Sequence, residues 1–208
     1  MYKDYGWNEG STDAHKYLYP ALRKMLGPYK DSRILDIGCG NGAIACRLID
    51  DGFNVYGLDA SQTGISIASK KHPGKFFVQN VEEKVLPKEL LNKNFNVVIS
   101  TEVIEHLYDP RAYVDMVISC LSRDGVFIVS TPYHGYLKNC ALALTNKLDS
   151  HFTVLWDGGH IKFWSRRTLT TLLGEFGFAV DEFKGVGRFP FLWKSMFIKA
   201  SFARSDAE

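Results

Sequence analysis

Asp36-Ile37-Gly38-Cys39-Gly40-Asn41-Gly42-Ala43 is the stretch on which the fold turns. A short apolar run, Arg33-Ile34-Leu35, leads into it, and Ile44, Ala45, Leu48 and Ile49 follow at helical spacing. The glycines therefore fall between a strand and a helix. Glycine in such a link lets the backbone turn sharply and approach a ligand closely at the carboxyl edge of a sheet. Asn54-Val55-Tyr56-Gly57-Leu58 reads as the next strand and ends on Asp59, 21 residues after Gly38. A carboxylate at that place can accept both hydroxyls of a ribose.

Outward from this pair of strands the alternation continues. Lys75–Val78, Phe95–Ser100 and Gly125–Ser130 are further strand-like runs, and Ser61 is placed to cap a helix carrying Ile65 and Ala68. Pro110 to Leu121 reads as another helix, and an earlier one runs from about Asp13 to Met25, with Ser11, Thr12 or Asp13 available as its cap and Gly27-Pro28 as its stop. After Pro132 the rhythm breaks. Tyr133 to His160 holds no clean strand, and Leu137 to Leu148 reads as an inserted amphipathic helix whose Leu137, Ala141, Leu142, Leu144 and Leu148 would face a pocket or a membrane surface. A helix through Leu169, Leu172, Leu173 and Phe176 then precedes two β-type runs, Phe178–Val186 and Leu192–Ala200, joined by a short link containing Gly187-Arg188-Phe189-Pro190. The expected architecture is α/β: a Rossmann-like, seven-stranded, mostly parallel sheet with a terminal antiparallel hairpin and helices on both faces. One domain over 1–208 is expected, with 1–30 as a helical cover and 133–160 as an acceptor-side insertion.

Composition narrows the function. Of 208 residues 46% are hydrophobic and 23% charged, an ordinary globular balance that excludes disordered and fibrous classes. Twenty-five basic against 23 acidic residues leave a net charge of +2, which lacks the footprint of a general nucleic-acid binder. Cys39, Cys46, Cys120 and Cys140 form no Cys-x-x-Cys pair, as expected of reduced thiols in a cytoplasmic protein. The first residues carry no apolar signal core, and no apolar run reaches the length of a membrane span.

Gly38-x-Gly40-x-x-Ala43 also satisfies the dinucleotide fingerprint. Three features argue against a nicotinamide oxidoreductase. Asp36 would repel a pyrophosphate but attract the ammonium of an amino acid. Gly42 adds a third alternate glycine. The terminal hairpin replaces the second mononucleotide-binding half. Asp-x-Gly-x-Gly-x-Gly in this setting resembles the class I S-adenosylmethionine-dependent methyltransferases, whose first motif is similar to Ile34–Leu48. The resemblance covers nearly the whole chain. It implies that Asp36, Gly38, Gly40 and Gly42 border the methionine part of S-adenosylmethionine and that Asp59, followed by Ala60, holds the ribose. It also places Asn80 and Val81 by the adenine and Thr101 and Glu102 along the same edge. Asn80 departs from the pattern, which often has Asp there.

Thr101-Glu102-Val103-Ile104-Glu105-His106-Leu107 follows the fourth strand directly. Glu102, Glu105 and His106 are three and four apart and are expected on one face of a helical turn. On the residues alone two readings stand. Two carboxylates and an imidazole suit a divalent metal; alternatively Glu102 meets the cofactor, Glu105 caps a helix and His106 packs against it. Glu-Val-Ile-Glu-His-Leu resembles a segment of the ubiquinone-biosynthesis O-methyltransferases and the small-RNA 2′-O-methyltransferases. That resemblance implies a divalent ion (Mg, Mn, Fe or Zn) at Glu102, Glu105 and His106, with His160 of Gly159-His160-Ile161-Lys162-Phe163-Trp164 as a fourth ligand. Without a metal, His106 is the natural general base, with Glu105 beside it. The expected function is O-methylation of a small hydroxylated acceptor of phenol, quinol or sugar type, with RNA a poor substrate and a peripheral membrane contact open to the apolar insertion. Methylation of nitrogen or carbon is the alternative, because the cofactor half is blind to the acceptor; a cofactor-binding protein without catalysis is the other.

Overall fold

The computed structural model describes residues 7, 8, 10, 12–81, 86–91, 94–152 and 154–202. Fourteen regular elements follow the expected alternation. They are α1 (His15–Leu26), β1 (Arg33–Ile37), α2 (Ala43–Asp50), β2 (Asn54–Asp59), α3 (Gln62–Lys71), β3 (Phe76–Val78), β4 (Phe95–Thr101), α4 (Pro110–Cys120), β5 (Leu121–Pro132), α5 (Tyr136–Leu144), α6 (Leu148–Phe152), α7 (Arg166–Glu175), β6 (Phe178–Val186) and β7 (Ser195–Phe202).

The seven strands form one sheet in the order β3-β2-β1-β4-β5-β7-β6. β1 pairs in parallel with both β2 and β4, so the strand order reverses between β1 and β4. Open parallel sheets bind ligands outside the carboxyl ends of the strands at such a reversal. Asp36 and Gly38 leave β1 there, and Thr101 and Glu102 leave β4 beside them. β7 runs antiparallel between β5 and β6, in the register Ser130↔Phe197 and Pro132↔Ser195. This brings Ser195 to the same edge from the far end of the chain.

Alternation along the strands divides the core. Leu35 and Ile37 of β1 and Val98 of β4 pack with Tyr113, Val114, Leu169 and Leu173, whereas Ile34, Val97 and Ile99 pack with Leu18, Leu22, Ala45 and Leu48. Both faces are apolar, as a covered parallel sheet requires. The helix starts show the expected chemistry. Ser61 accepts from Gly64 N, Asp109 Oδ1 accepts from Arg111 N and Ala112 N, and Ser165 forms a capping box with Thr168.

Four local expectations are corrected. α1 begins after Ala14 with no side-chain cap; Thr12 and Asp13 precede the cap position, and Ser11 lies outside the described residues. β5 runs from Leu121 rather than Gly125. The β6–β7 connection takes all of Gly187 to Lys194. The inserted helix breaks into α5 and α6 around Asn146, whose φ of 53° is left-handed, a conformation no helix interior sustains.

Candidate active site

The glycine stretch forms the first wall. Gly38, Gly40 and Gly42 all have positive φ. At Gly38 a Cβ would stand 2.4 Å from Val103 Cγ2, and at Gly40 it would stand 2.7 Å from the Trp7 ring. Bare backbone is thus demanded twice over, by the dihedral and by the neighbour. Asp59 Oδ2 accepts from Gly40 N at 2.8 Å and Oδ1 accepts from Ser61 N at 2.7 Å, so the carboxylate expected at the ribose also ties the loop to the end of β2. Ala60, half-buried, sits between these anchors. Asn41 Nδ2 donates to the carbonyls of Asn8 and Gly10, holding the N-terminal segment and Trp7 over the loop.

Asp36 is buried, and its Oδ1 has no hydrogen-bond partner among the described residues. Burial, with Asp59 adding repulsion, pushes its carboxyl up to about 8. A bound ammonium would satisfy the orphaned oxygen and return the group to its ionised form. Asn80 is half-buried and Val81 buried at the end of β3, on the flank where an adenine would lie.

The acidic segment departs from its expected geometry. Only Ile104–His106 forms a helical turn, of 3-10 type, and Val103 before it is not helical. Glu102 has a φ of 56°, so it stands outside the turn, and the expected single face for Glu102, Glu105 and His106 does not form. Its carboxylate accepts from Ser130 Oγ at 2.8 Å and Ser195 Oγ at 3.0 Å. Burial raises its pKa while the two hydroxyls oppose that rise. Thr101, half-buried, precedes it at the end of β4, paired with Ser130.

Glu105, His106 and His160 do converge: one ligand atom from each lies within 4.8 Å of the other two. Glu102 is not part of this group. Glu105 is fully buried; Oε2 accepts from Thr131 Oγ1, while Oε1 has no hydrogen-bond partner among the described residues and lies 3.9 Å from His106 Nε2. Burial, then the charge of Glu102, raises its pKa. His106 Nδ1 lies 2.9 Å from the Gly158 carbonyl oxygen and 3.2 Å from that of Gly159. These carbonyls draw the proton to Nδ1 and leave a lone pair on Nε2, on the side of Glu105. The His160 ring lies 4.9 Å from that of His106, and burial lowers its pKa to about 4, so it is neutral at physiological pH. The segment bearing it is docked by Ile161 N and Lys162 N donating to the Glu105 carbonyl and by Trp164 Nε1 donating to that of Ile104. His160, implied by the resemblance as a neighbour of Glu105 and His106, is therefore brought beside them.

Of the two faces open to the insertion's leucines, a pocket or the outer surface, Leu137 and Leu144 take the outer one. Leu137 and Leu144 of α5 are 55% and 88% exposed, and the helix buries only Lys138, 6% exposed. Trp156 brings the insertion's far end against the histidines, 5.9 Å from His106 and 6.0 Å from His160 between ring centres. Outside it lies an open trough of about 650 Å³ lined by Asp149, Ser150, Val154, Leu155 and Trp156.

Residues 12–182 match the model of the methyltransferase domain family. The chain belongs to that family. This methyltransferase domain is 30% identical over 169 residues to a ubiquinone biosynthesis O-methyltransferase of Dinoroseobacter shibae, covering 78% of this chain and 66% of that protein. It is 33% identical over 113 residues to the protein of the same name from Rickettsia canadensis, covering 53% and 48%. The chain spans about half the length of several curated relatives it matches. Among solved structures, an S-adenosylmethionine-dependent methyltransferase from Mesorhizobium loti superposes with a TM-score of 0.68 at 21% identity, covering 88% of this chain and 96% of that one. S-adenosylmethionine is the methyl donor that this family membership implies, and the residues at the β1–β4 reversal fit it. The glycine loop admits close approach, and Asp36 offers a buried Oδ1 with no hydrogen-bond partner among the described residues.

Trp7, Ser130, Thr131, Lys138 and Ser195 are side chains beside the candidate site that the sequence did not single out. Trp7 stands alone in a polar Gly- and Asn-containing segment, which is a weak signal for a ring lying on a glycine loop. Ser195 reaches Glu102 across 93 positions, a partner that no local pattern reveals.

Proposed function

We propose that this methyltransferase domain transfers the methyl group of S-adenosylmethionine to a hydroxyl oxygen of a small acceptor of phenol or quinol type, with a divalent ion held by Glu105, His106 and His160. The observation that carries the reading is the convergence of three ligand atoms within 4.8 Å at the end of β4, beside the edge where Asp36 and Glu102 lie. Its chemistry supports the assignment. Both imidazoles are held neutral by burial, and Glu105 keeps an oxygen without a hydrogen-bond partner among the described residues. The Nδ1–H of His106 is anchored on backbone carbonyls, as ligating histidines are in metal sites. The relatives named as O-methyltransferases support oxygen as the acceptor atom.

Methyl transfer from a sulfonium is an in-line displacement, so the protein chiefly aligns the acceptor and excludes water. A divalent ion at these residues supplies Lewis acidity that lowers the pKa of the acceptor hydroxyl. Trp156 and the docked segment 158–164 close the far side of the histidine pair. Glu102, fixed by Ser130 and Ser195, forms the wall between donor and acceptor. A second reading rests on the orientation of His106: with Nδ1–H on the Gly158 carbonyl, Nε2 is placed to accept the acceptor's proton directly.

Turnover to S-adenosylhomocysteine with catechol-type acceptors, before and after chelation, separates the two. Chelation should remove most activity, and added Mg, Mn, Fe or Zn should restore it. Glu105→Ala and His160→Ala should impair turnover while leaving S-adenosylhomocysteine affinity nearly intact. Full activity after chelation with complete loss in His106→Ala would replace the ion by the imidazole base. Indifference to all three substitutions would refute both.

A further inference from the structure

The helix α5 packs upside down. Leu137 and Leu144 face outward, Leu142 is half-buried and the one lysine faces inward, although an ordinary amphipathic helix buries its leucines and exposes its lysines. Lys138 Nζ donates to the carbonyl oxygen of Tyr133 at 2.8 Å and to that of Lys194 at 3.3 Å. These two neutral acceptors leave one of the ammonium's three N–H groups for another partner. No carboxylate of the described residues lies within 4.0 Å of it. A buried ammonium without an anion is costly, so its place calls for a ligand that supplies one.

The surroundings locate that ligand. Through the Lys194 carbonyl, Lys138 adjoins Ser195, the hydroxyl donor to Glu102, and its charge reaches Glu102, His134, His151 and His160. Arg188 adds a second positive charge from the β6–β7 connection. Glu102 has both oxygens on serine hydroxyls, and the histidines are held neutral. The ammonium therefore shares this region with a carboxylate already engaged by two hydroxyls, and it has no ion pair of its own among the described residues.

We propose that Lys138 binds a carboxylate carried by the methyl acceptor, so that the preferred substrates are hydroxylated aromatic acids rather than neutral phenols. The inference rests on the O-methyltransferase reading for the identity of the reacting group, but not for the anion contact itself.

Calorimetry on the full chain loaded with S-adenosylhomocysteine tests it, using 3,4-dihydroxybenzoate and its uncharged isostere 3,4-dihydroxybenzamide as probes. The acid should bind about tenfold or more tighter than the amide, as expected for one charge-assisted hydrogen bond. Lys138→Met should bring the two within about twofold by weakening only the acid, and Lys138→Arg should retain part of the preference. Equal binding of the two probes by the unsubstituted protein, or no binding of the acid, overturns the proposal, even if Lys138→Met fails to fold. So does a Lys138→Met protein that still prefers the acid, or that weakens on both probes alike, which would make the lysine a support for Glu102. Turnover separates this failure from failure of the O-methyltransferase reading. Equal methylation of acid and amide keeps the reading and rejects the anchor, whereas a retained binding preference without oxygen methylation does the opposite.

Discussion

Gly38→Ala is the substitution whose cost can be worked most directly. A Cβ at this position would lie 2.4 Å from Val103 Cγ2 and 3.0 Å from Cγ1, in a backbone with φ +79°. The left-handed dihedral costs an alanine about 1–2 kcal/mol. Carbon atoms at 2.4 Å cannot coexist, so either Val103 leaves its rotamer or the segment shifts, for roughly 1–3 kcal/mol more. The sum, about 2–5 kcal/mol, is a large share of a typical domain stability and should lower Tm by about 5–15 °C. Val103 lies between Glu102 and Glu105, so relief of the clash by movement should also weaken S-adenosylhomocysteine binding. A double-mutant cycle isolates the contact. Val103→Ala removes both Cγ atoms and leaves Cβ at 3.3 Å, a separation that small adjustments absorb. Gly38→Ala should therefore be partly rescued in the Val103→Ala background, with a coupling of about 1–3 kcal/mol. Chemical denaturation of the four proteins measures it. Additivity within about 0.5 kcal/mol, or a Gly38→Ala protein melting within about 2 °C of the parent, would refute the idea that the glycine loop and the acidic segment are locked together sterically.

Two further outcomes concern the cofactor edge and pH. Asp59→Ala removes the acceptor for Gly40 N and Ser61 N along with the expected ribose contacts, each worth about 1.5–3 kcal/mol before solvent compensation. S-adenosylhomocysteine affinity should fall about tenfold or more by calorimetry, and unchanged affinity would remove Asp59 from the site. His134 and His160 both have pKa values lowered to about 4, chiefly by burial. The unfolded chain takes up these protons near pH 6.5 and the folded one only near 4, so the stability they contribute is complete above about 6.5 and is lost as pH falls through about 4. After allowance for solvent screening, the pair should cost about 1–3 kcal/mol across that window. A thermal-melting series from pH 7 to 4 that stays flat would contradict the neutral burial of both rings.

How far the sequence could be read depends on what holds each part of the site. The cofactor half is built from local chemistry. The glycines sit where β1 turns into α2, Asp59 ends β2, and Ser61 caps α3; each is dictated by residues within a few positions, so short motifs betray it. The convergence of Glu105 and His106 with His160 was readable in kind, because the two segments carry recognisable patterns, but not in composition. Glu102 shares a helical face with Glu105 only in a regular turn. Its left-handed φ breaks that periodicity, and Ser130 and Ser195 then claim its carboxylate from two other strands. Those partners are set by the β5–β7 register, which lies in the hairpin's pairing and in no motif.

The insertion shows the same division more sharply. Its leucines have helical spacing, and spacing predicts which residues share a face, but it cannot say which face turns inward. That choice is made by tertiary contacts. His134 N donates to the Trp164 carbonyl, Tyr133 N and Lys138 Nζ both donate to that of Lys194, and His134 packs against Phe163 at 5.0 Å. These anchors pin the start of α5 to the segment after His160 and to the entrance of β7. Once Tyr133 and His134 are so held, Lys138, one turn on, is carried beneath the helix, and Leu137 and Leu144 are left outside. His160 is held against His106 by a second set of contacts, to the Glu105 and Ile104 carbonyls, and Trp164 takes part in both sets. The orientation of α5 is therefore linked to the histidine pair through the backbone of Trp164: His134→Pro, which removes the N–H donated to that carbonyl, should speed amide hydrogen exchange in α5 while the Glu105 and Ile104 contacts keep segment 158–164 protected, and unchanged exchange in α5 would refute the link.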